Sequence, residues 1–197
     1  MWEDRLGYDE NIPEEIRDVF MWLCQDVLSL HRMCDFYKEL FKDKEDLTLF
    51  TDYASSSFKI IEKALRTSMV MAVSRLNDPS TQFNNQNLSF QRLIAFCQDV
   101  PDINDLYKEF DTACVPFGAY RNKRFAHRDL QTTTNYSKNL LPGIGIIQVE
   151  EVLRLAFGMI NAISMHYTDT GYFFQTPMPG GAKSLKHWFR EGIKSKK

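Results

Sequence analysis

The sequence predicts an all-α fold: a single-domain bundle of four to five main helices followed by a short basic helix near the C-terminus. Three observations carry this. Apolar residues recur at intervals of three and four along the long stretches, and no stretch shows the period-two alternation of a half-buried strand. The stretches are separated by short polar or proline-bearing connections. A chain of 197 residues with 44% hydrophobic and 25% charged content can bury one sizeable core. The expected organisation is a helical domain over 1–175 and a C-terminal loop, short basic helix and flexible tail over 176–197.

The first helix is marked by Ile16, Phe20, Leu23, Val27, Leu30, Cys34, Tyr37 and Phe41, one apolar stripe, with Pro13 at its first turn where a missing N–H costs little. The charged stretch KDKED, 42–46, turns the chain. A second stripe runs through Phe50, Ala54, Phe58, Ile61, Leu65, Ser68 and Ala72, and ends where Pro79 disfavours helical geometry at Asp78. STQFNNQN, 80–87, reads as a loop, and a shorter helix follows over about 88–98. Pro101 and Asp102 open the next helix, whose apolar face is Ile103, Leu106, Phe110, Ala113 and Phe117. Pro116 cannot donate to residue 112 and its ring crowds that carbonyl, which predicts a kink or break just before Arg121. The last long helix carries Val149, Val152, Ala156, Met159, Ile163 and Tyr167.

Bulk composition excludes several classes. A net charge of −2 argues against coating nucleic acid through overall charge, so any such contact must come from a local patch. Cys24, Cys34, Cys97 and Cys114 show no C-x-x-C spacing and lie in stretches that read as helical, which suits buried thiols and no disulfides. MWEDRLGYDE lacks an apolar signal region and no run approaches the roughly 18 apolar residues of a bilayer span. The expectation is a soluble cytoplasmic protein without membrane association.

There is no glycine-rich phosphate loop, no G-x-S-x-G, no H-E-x-x-H and no paired Glu-x-x-His, which removes support for nucleotide hydrolases, serine hydrolases and bundle metalloenzymes. His31 and Cys34 stand one turn apart near Cys24, but Cys34 belongs to the apolar stripe, so a core cysteine beside a partly buried histidine outweighs a metal site. His166 reads as a surface or satisfied core histidine, and His187 belongs to the basic tail. Lys183, Lys186, Arg190, Lys194, Lys196 and Lys197 form either a solubilising tail or an RNA-binding surface.

The informative stretch is AYRNKRFAHRD, 119–129, which gathers Arg121, Lys123, Arg124, His127 and Arg128. Arginine binds phosphate through a bidentate fork, and an imidazole with a pKa near 6.5 exchanges protons at neutral pH. Together they hold the minimum for metal-free RNA cleavage, in which the ribose 2′-OH attacks the adjacent phosphate and leaves a 2′,3′-cyclic phosphate and a free 5′-OH. Spacing alone decides little, since an Arg with four to six residues before a His arises by chance about 0.7 times in a chain of this composition.

The string Arg121-Asn122-Lys123-x-x-Ala126-His127-x-Asp129 resembles the signature of the higher-eukaryote and prokaryote nucleotide-binding (HEPN) superfamily, and within it the abortive-infection U type branch. SRLNDPSTQFNNQNLSFQRLI, 74–94, is similar to the second-helix end and following loop of that branch, so the resemblance spans roughly 50–130. It implies an HEPN-like helical bundle and a metal-independent endoribonuclease, often a toxin or anti-phage effector, acting as a homodimer with a composite active site and needing no cofactor. Arg121 and His127 would be the catalytic pair and Asn122 the polar residue that helps hold them. The best-known toxin motif carries Tyr two residues after His, where this chain has Asp129. An antitoxin protein such as a nucleotidyltransferase is the partner that such toxins imply. The alternative is a non-catalytic HEPN-like module that binds nucleotide, RNA or a protein partner, or a plain dimeric scaffold.

The remaining charges have two readings each. Arg75 and Asp78, three apart, form a local ion pair or line the same cleft. Lys123, Arg124 and Arg128 steer RNA phosphates or form a solvated face. Asp78 and Asp129 are structural support. On an ideal helix, residues 121 and 127 are about 9 Å apart along the axis and about 120° around it. That spacing favours two copies sharing a cleft, with Phe117, Tyr120 and Phe125 as the apolar strip of the interface.

Overall fold

The charged residues at the ends of the first helix fix its start and direction, and its apolar stripe fixes what it packs against. In the computed structural model, which describes residues 9–122, 144–173 and 180–195, helix α1 spans Glu14–Phe41. Pro13 stands at the N-cap, Glu14 and Glu15 in the first turn and Lys38 in the last, a charge order that suits the helix dipole. Ile16, Phe20, Leu23, Val27, Leu30 and Cys34 are buried in the main core. Among the described residues the other helices are α2 (Lys44–Leu76), α3 (Phe90–Ile94), α4 (Ile103–Tyr120), α5 (Ile146–Thr168) and α6 (Ala182–Lys194). The all-α bundle expected from the periodicity is the fold observed, and no helix among the described residues is long and apolar enough to cross a membrane.

The most apolar helix is α5, and it packs against both α1 and α4. Its buried set is wider than one stripe: Leu153, Leu155 and Ile160 join Val149, Val152, Ala156, Met159 and Ile163, because a helix with neighbours on two sides must be apolar over more than half its girth. The backbone N–H of Gly145 donates to Gln148 Oε1 at 2.9 Å, which satisfies one orphan donor at its start.

Helix α2 departs from the expected single stripe. Ala54 has non-helical angles (φ −152°, ψ 38°), and the helix bends there. The rings of Phe50 and Phe58 stack at 3.7 Å with planes 10° apart. Eight residues of straight helix rise about 12 Å, so the bend is what lets these two rings meet. Beyond it, Met69, Val70, Ala72, Val73 and Leu76 enter the core while Ser68 is exposed, because the stripe is shared between α1 and α4.

Two connections differ from expectation. The 80–87 loop contains a small antiparallel hairpin, β1 (Thr81–Gln82) and β2 (Asn85–Gln86), closed by Phe83 and Asn84 at positive φ. The helix read over 88–98 is shorter. Ser89 Oγ accepts from the N–H of Arg92, and after Ile94 the chain tightens into turns in which Phe96 N–H donates to Leu93 O and Cys97 N–H to Ile94 O, leaving Cys97 outside the helix.

The C-terminal basic helix is docked and not merely solvated. Phe189 of α6 meets Phe50 and Phe58 edge to face, forming a second, smaller core with Leu40 and Ala182. Asp46, only 1% exposed, pairs with Lys186 Nζ at 3.1 Å and with the Arg190 guanidinium. Lys186 Nζ also donates to the carbonyl of Glu39 in the last turn of α1, a group the helix itself leaves unpaired. These two cations are thus occupied structurally, while Lys196 and Lys197 lie outside the described residues.

All four cysteines are free and buried. Burial pushes the thiols of Cys34 up to about 11 and Cys97 up to about 12, and those of Cys24 and Cys114 well above the ordinary range. They therefore stay protonated at neutral pH, and a thiol-disulfide reagent at pH 8 should label them only as fast as the protein unfolds; rapid labelling of native protein contradicts this burial. Phe50→Ala should cost about 3 kcal/mol in urea denaturation, and should release α6, seen as faster hydrogen exchange over 182–194.

Candidate functional site

Pro116 lies inside α4, which continues to Tyr120 and then widens into a π-type turn at Arg121 and Asn122, where the sequence predicts a kink or break. Such widened turns re-aim side chains and recur at functional sites. The Arg121 N–H still bonds back to the carbonyls of Phe117 and Gly118, so the start of its side chain is fixed by the helix. The guanidinium is fixed from two other directions. Nη1 donates to Asp78 Oδ1 at 2.7 Å, and Nε donates to Asn122 Oδ1 at 3.3 Å.

Asp78 stands two residues past α2, with its N–H bonded to the carbonyl of Arg75. Next to it, Asn77 Nδ2 donates to Asp111 Oδ1 of α4 at 2.9 Å. Two polar contacts therefore hold the end of α2 against α4. The side chains of Arg121 and Asp78 are 23% and 20% exposed, enough dehydration to strengthen their attraction over that of a fully solvated pair while leaving the guanidinium accessible. An arginine carries five N–H donors, and this arrangement uses two. What remains is a pre-aimed cationic fork whose charge is offset by a neighbouring carboxylate, suited to an anion that can share it.

The site residues read from the sequence fare differently. Arg121, Asn122 and Asp78 come together, whereas Arg75 does not pair with Asp78. Arg75 is exposed, and its charge acts instead on half-buried Asp26 of α1, whose carboxyl is raised by burial and partly lowered again by Arg75. Lys123, Arg124, Phe125, His127, Arg128 and Asp129 lie outside the described residues. Phe117 is fully buried in the main core, and Tyr120 packs against that core from its edge. Phe117 therefore cannot form the apolar strip of an interface; its stripe spacing made it a core residue first.

The other histidines have local partners. His31 Nε2 lies 3.4 Å from Asp35, with its ring edge-on to Phe157. His166 Nε2 lies 3.1 Å from Asp99, which also accepts from Tyr167 Oη at 2.8 Å. The Tyr167 hydrogen bond, then His166, hold the Asp99 carboxyl below its ordinary range, and the trio ties the connection before α4 to the end of α5. No local pattern marks the pairing of Asp78 with Arg121, since 43 residues separate them. The turn at Phe83 and Asn84 had a partial signal, Asn84 within a polar run.

An all-helical bundle with an arginine clamped at the exit of α4, six residues before a histidine in the chain, is the setting the HEPN signature describes. The family profile of the HEPN AbiU2 domain matches residues 16–181, and the chain belongs to that family. No significant match was found among curated proteins or among solved structures. The match runs from α1 to the residue before α6.

Asp78→Asn and Arg121→Met should each lower stability by about 1 kcal/mol, and the double variant by less than the sum of the two. Strict additivity in urea denaturation would show that the two side chains do not interact in solution.

Proposed function

We propose that this HEPN-family protein is a metal-independent endoribonuclease. The observation that carries the reading is the clamped Arg121 at the head of the Arg-x5-His string. In this reading, the substrate phosphate shares the Arg121 fork with Asp78. His127 takes the proton from the ribose 2′-OH or delivers one to the leaving 5′-oxygen, and Arg121 stabilises charge developing on the phosphorane oxygens. Asn122, through its hydrogen bond to Arg121 Nε, limits the arc over which the guanidinium can swing. Lys123, Arg124 and Arg128 draw the RNA backbone in, with Arg75 as a more distant contributor, and Asp129 supports the motif from within.

The functional unit in this reading is a homodimer with a composite site. The motif's spacing is easier to satisfy with Arg121 from one copy and His127 from the other, and HEPN domains commonly act as dimers. The biological role is that of a toxin or anti-phage effector in the cytoplasm, restrained by an antitoxin protein such as a nucleotidyltransferase. A second reading rests on the same ion pair. Because Asp78 already offsets the charge on Arg121, the site suits an RNA-binding module that does not cut, and such a protein would retain RNA without cleaving it.

The test is cleavage of an unstructured fluorescent RNA in EDTA. His127→Ala should reduce the rate by at least about 100-fold with the melting temperature nearly unchanged, and Arg121→Lys, which keeps the charge and loses the fork, should cost a similar factor. Unimpaired cleavage by either variant removes that residue from the mechanism. Mixing Arg121→Ala with His127→Ala protein should restore about one quarter of wild-type activity after subunit exchange. Half the dimers are then mixed, and each carries one intact cleft of two.

A further inference from the structure

We infer that the hairpin tip at Phe83 is a stacking platform for an unpaired RNA base beside the Arg121 site. The inference deepens the RNA-directed reading above and rests on it. Its starting point is a backbone oddity. Phe83 (φ 49°) and Asn84 (φ 64°) both adopt left-handed geometry in the two-residue turn between β1 and β2, where Thr81 faces Gln86 and Gln82 faces Asn85. Turns of this kind favour Asn or Gly at both central positions. Asn84 obeys that preference; Phe83 does not, and a bulky residue at positive φ is strained. Burial does not offset the strain, because Phe83 is 91% exposed.

The hairpin is also rooted at the site. Ser80 N–H donates to Gln91 Oε1 at 2.6 Å, Asn87 Nδ2 to the carbonyl of Pro79 at 2.7 Å, and Asn87 N–H to the carbonyl of Ser80 at 3.0 Å. These bonds fix the two residues that follow Asp78, the partner of Arg121. Five residues of chain from Asp78 to Phe83 span at most about 18 Å, so the ring stays within a few nucleotides of a phosphate held at Arg121.

The chemistry of the tip selects the occupant. PSTQFNNQN, 79–87, carries no charge, and Phe83 is its only large apolar side chain. A protein interface would need an apolar cluster at its centre, which a lone ring among polar neighbours does not supply. A nucleobase needs one flat apolar face and groups that both donate and accept along its edge, and Phe83 flanked by the carboxamides of Gln82, Asn84, Asn85 and Gln86 offers both. Base pairing in a duplex would hide that face, so the platform selects single-stranded RNA.

The discriminating substitution is Phe83→Asn, which removes the ring while suiting positive φ, so the melting temperature should hold or rise. Binding is measured with a fluorescent, unstructured 2′-O-methyl RNA, whose blocked 2′-oxygen prevents cleavage, alongside the corresponding duplex. Phe83→Asn should weaken single-strand binding by about 5- to 100-fold and leave duplex binding unchanged, while Phe83→Trp should bind like wild type. Unchanged single-strand binding by Phe83→Asn overturns the inference, even if the protein cleaves RNA. So does a wild-type protein that fails to bind the probe, or sedimentation showing that Phe83→Asn turns a dimer into a monomer, which would make the tip a protein contact. Tight, Phe83-dependent binding by a protein that does not cut unmodified RNA supports the platform and defeats only the ribonuclease reading.

Discussion

Everything at the candidate site depends on the ends of α2 and α4 lying side by side. Arg121 comes one residue after α4 and Asp78 two residues after α2, so their ion pair exists only because two helices remote in sequence finish at the same place. The core makes that possible. α5 packs on both α1 and α4, α2 lies across α1 and α4, and Leu76, Phe90, Phe110 and Phe117 near these helix ends are all fully buried. Burial of several large side chains contributes far more than one partly buried ion pair, so packing brings the ends together and the polar contacts set their register. Asn77 on Asp111 and Asp78 on Arg121 then aim a guanidinium that would otherwise sweep through many rotamers.

The same division explains what the sequence made legible. Apolar periodicity is a local signal, and it located α1, α4 and α5 well because each buries a continuous face. It served α2 less well. The bend at Ala54 shows only in the geometry that stacks Phe50 on Phe58, and the later turns share their apolar face between two partners. Motif reading reached Arg121 and Asn122, whose chemistry lies in adjacent residues. It leaves Asp78 between an ion pair with Arg75 and a place in the same cleft, and the carboxylate turns to the arginine at the exit of α4. Phe117 has the spacing of the α4 stripe, and it is core and not an interface strip.

Charge is the property that a sequence leaves most ambiguous. Lys186 and Arg190 sit in a tail that reads as solvated, and the two meet a carboxylate buried at the start of α2, 140 residues and more earlier in the chain. Around that contact the rings of Phe50, Phe58 and Phe189 form their own small core, away from the main one. Helix α6 begins just past the span matched by the family profile. The basic residues of the C-terminal helix and Arg121 therefore do different work. Lys186 and Arg190 close the bundle, whereas Arg121 keeps part of its guanidinium accessible.

Mass-spectrometric analysis of RNA termini after incubation with the purified protein in EDTA tests the central claim most directly. Attack by the ribose 2′-OH under Arg121 and His127 predicts fragments ending in 2′,3′-cyclic phosphate and beginning with 5′-OH. Fragments with 3′-OH and 5′-phosphate ends, or cleavage that appears only when a divalent metal is restored, would contradict it.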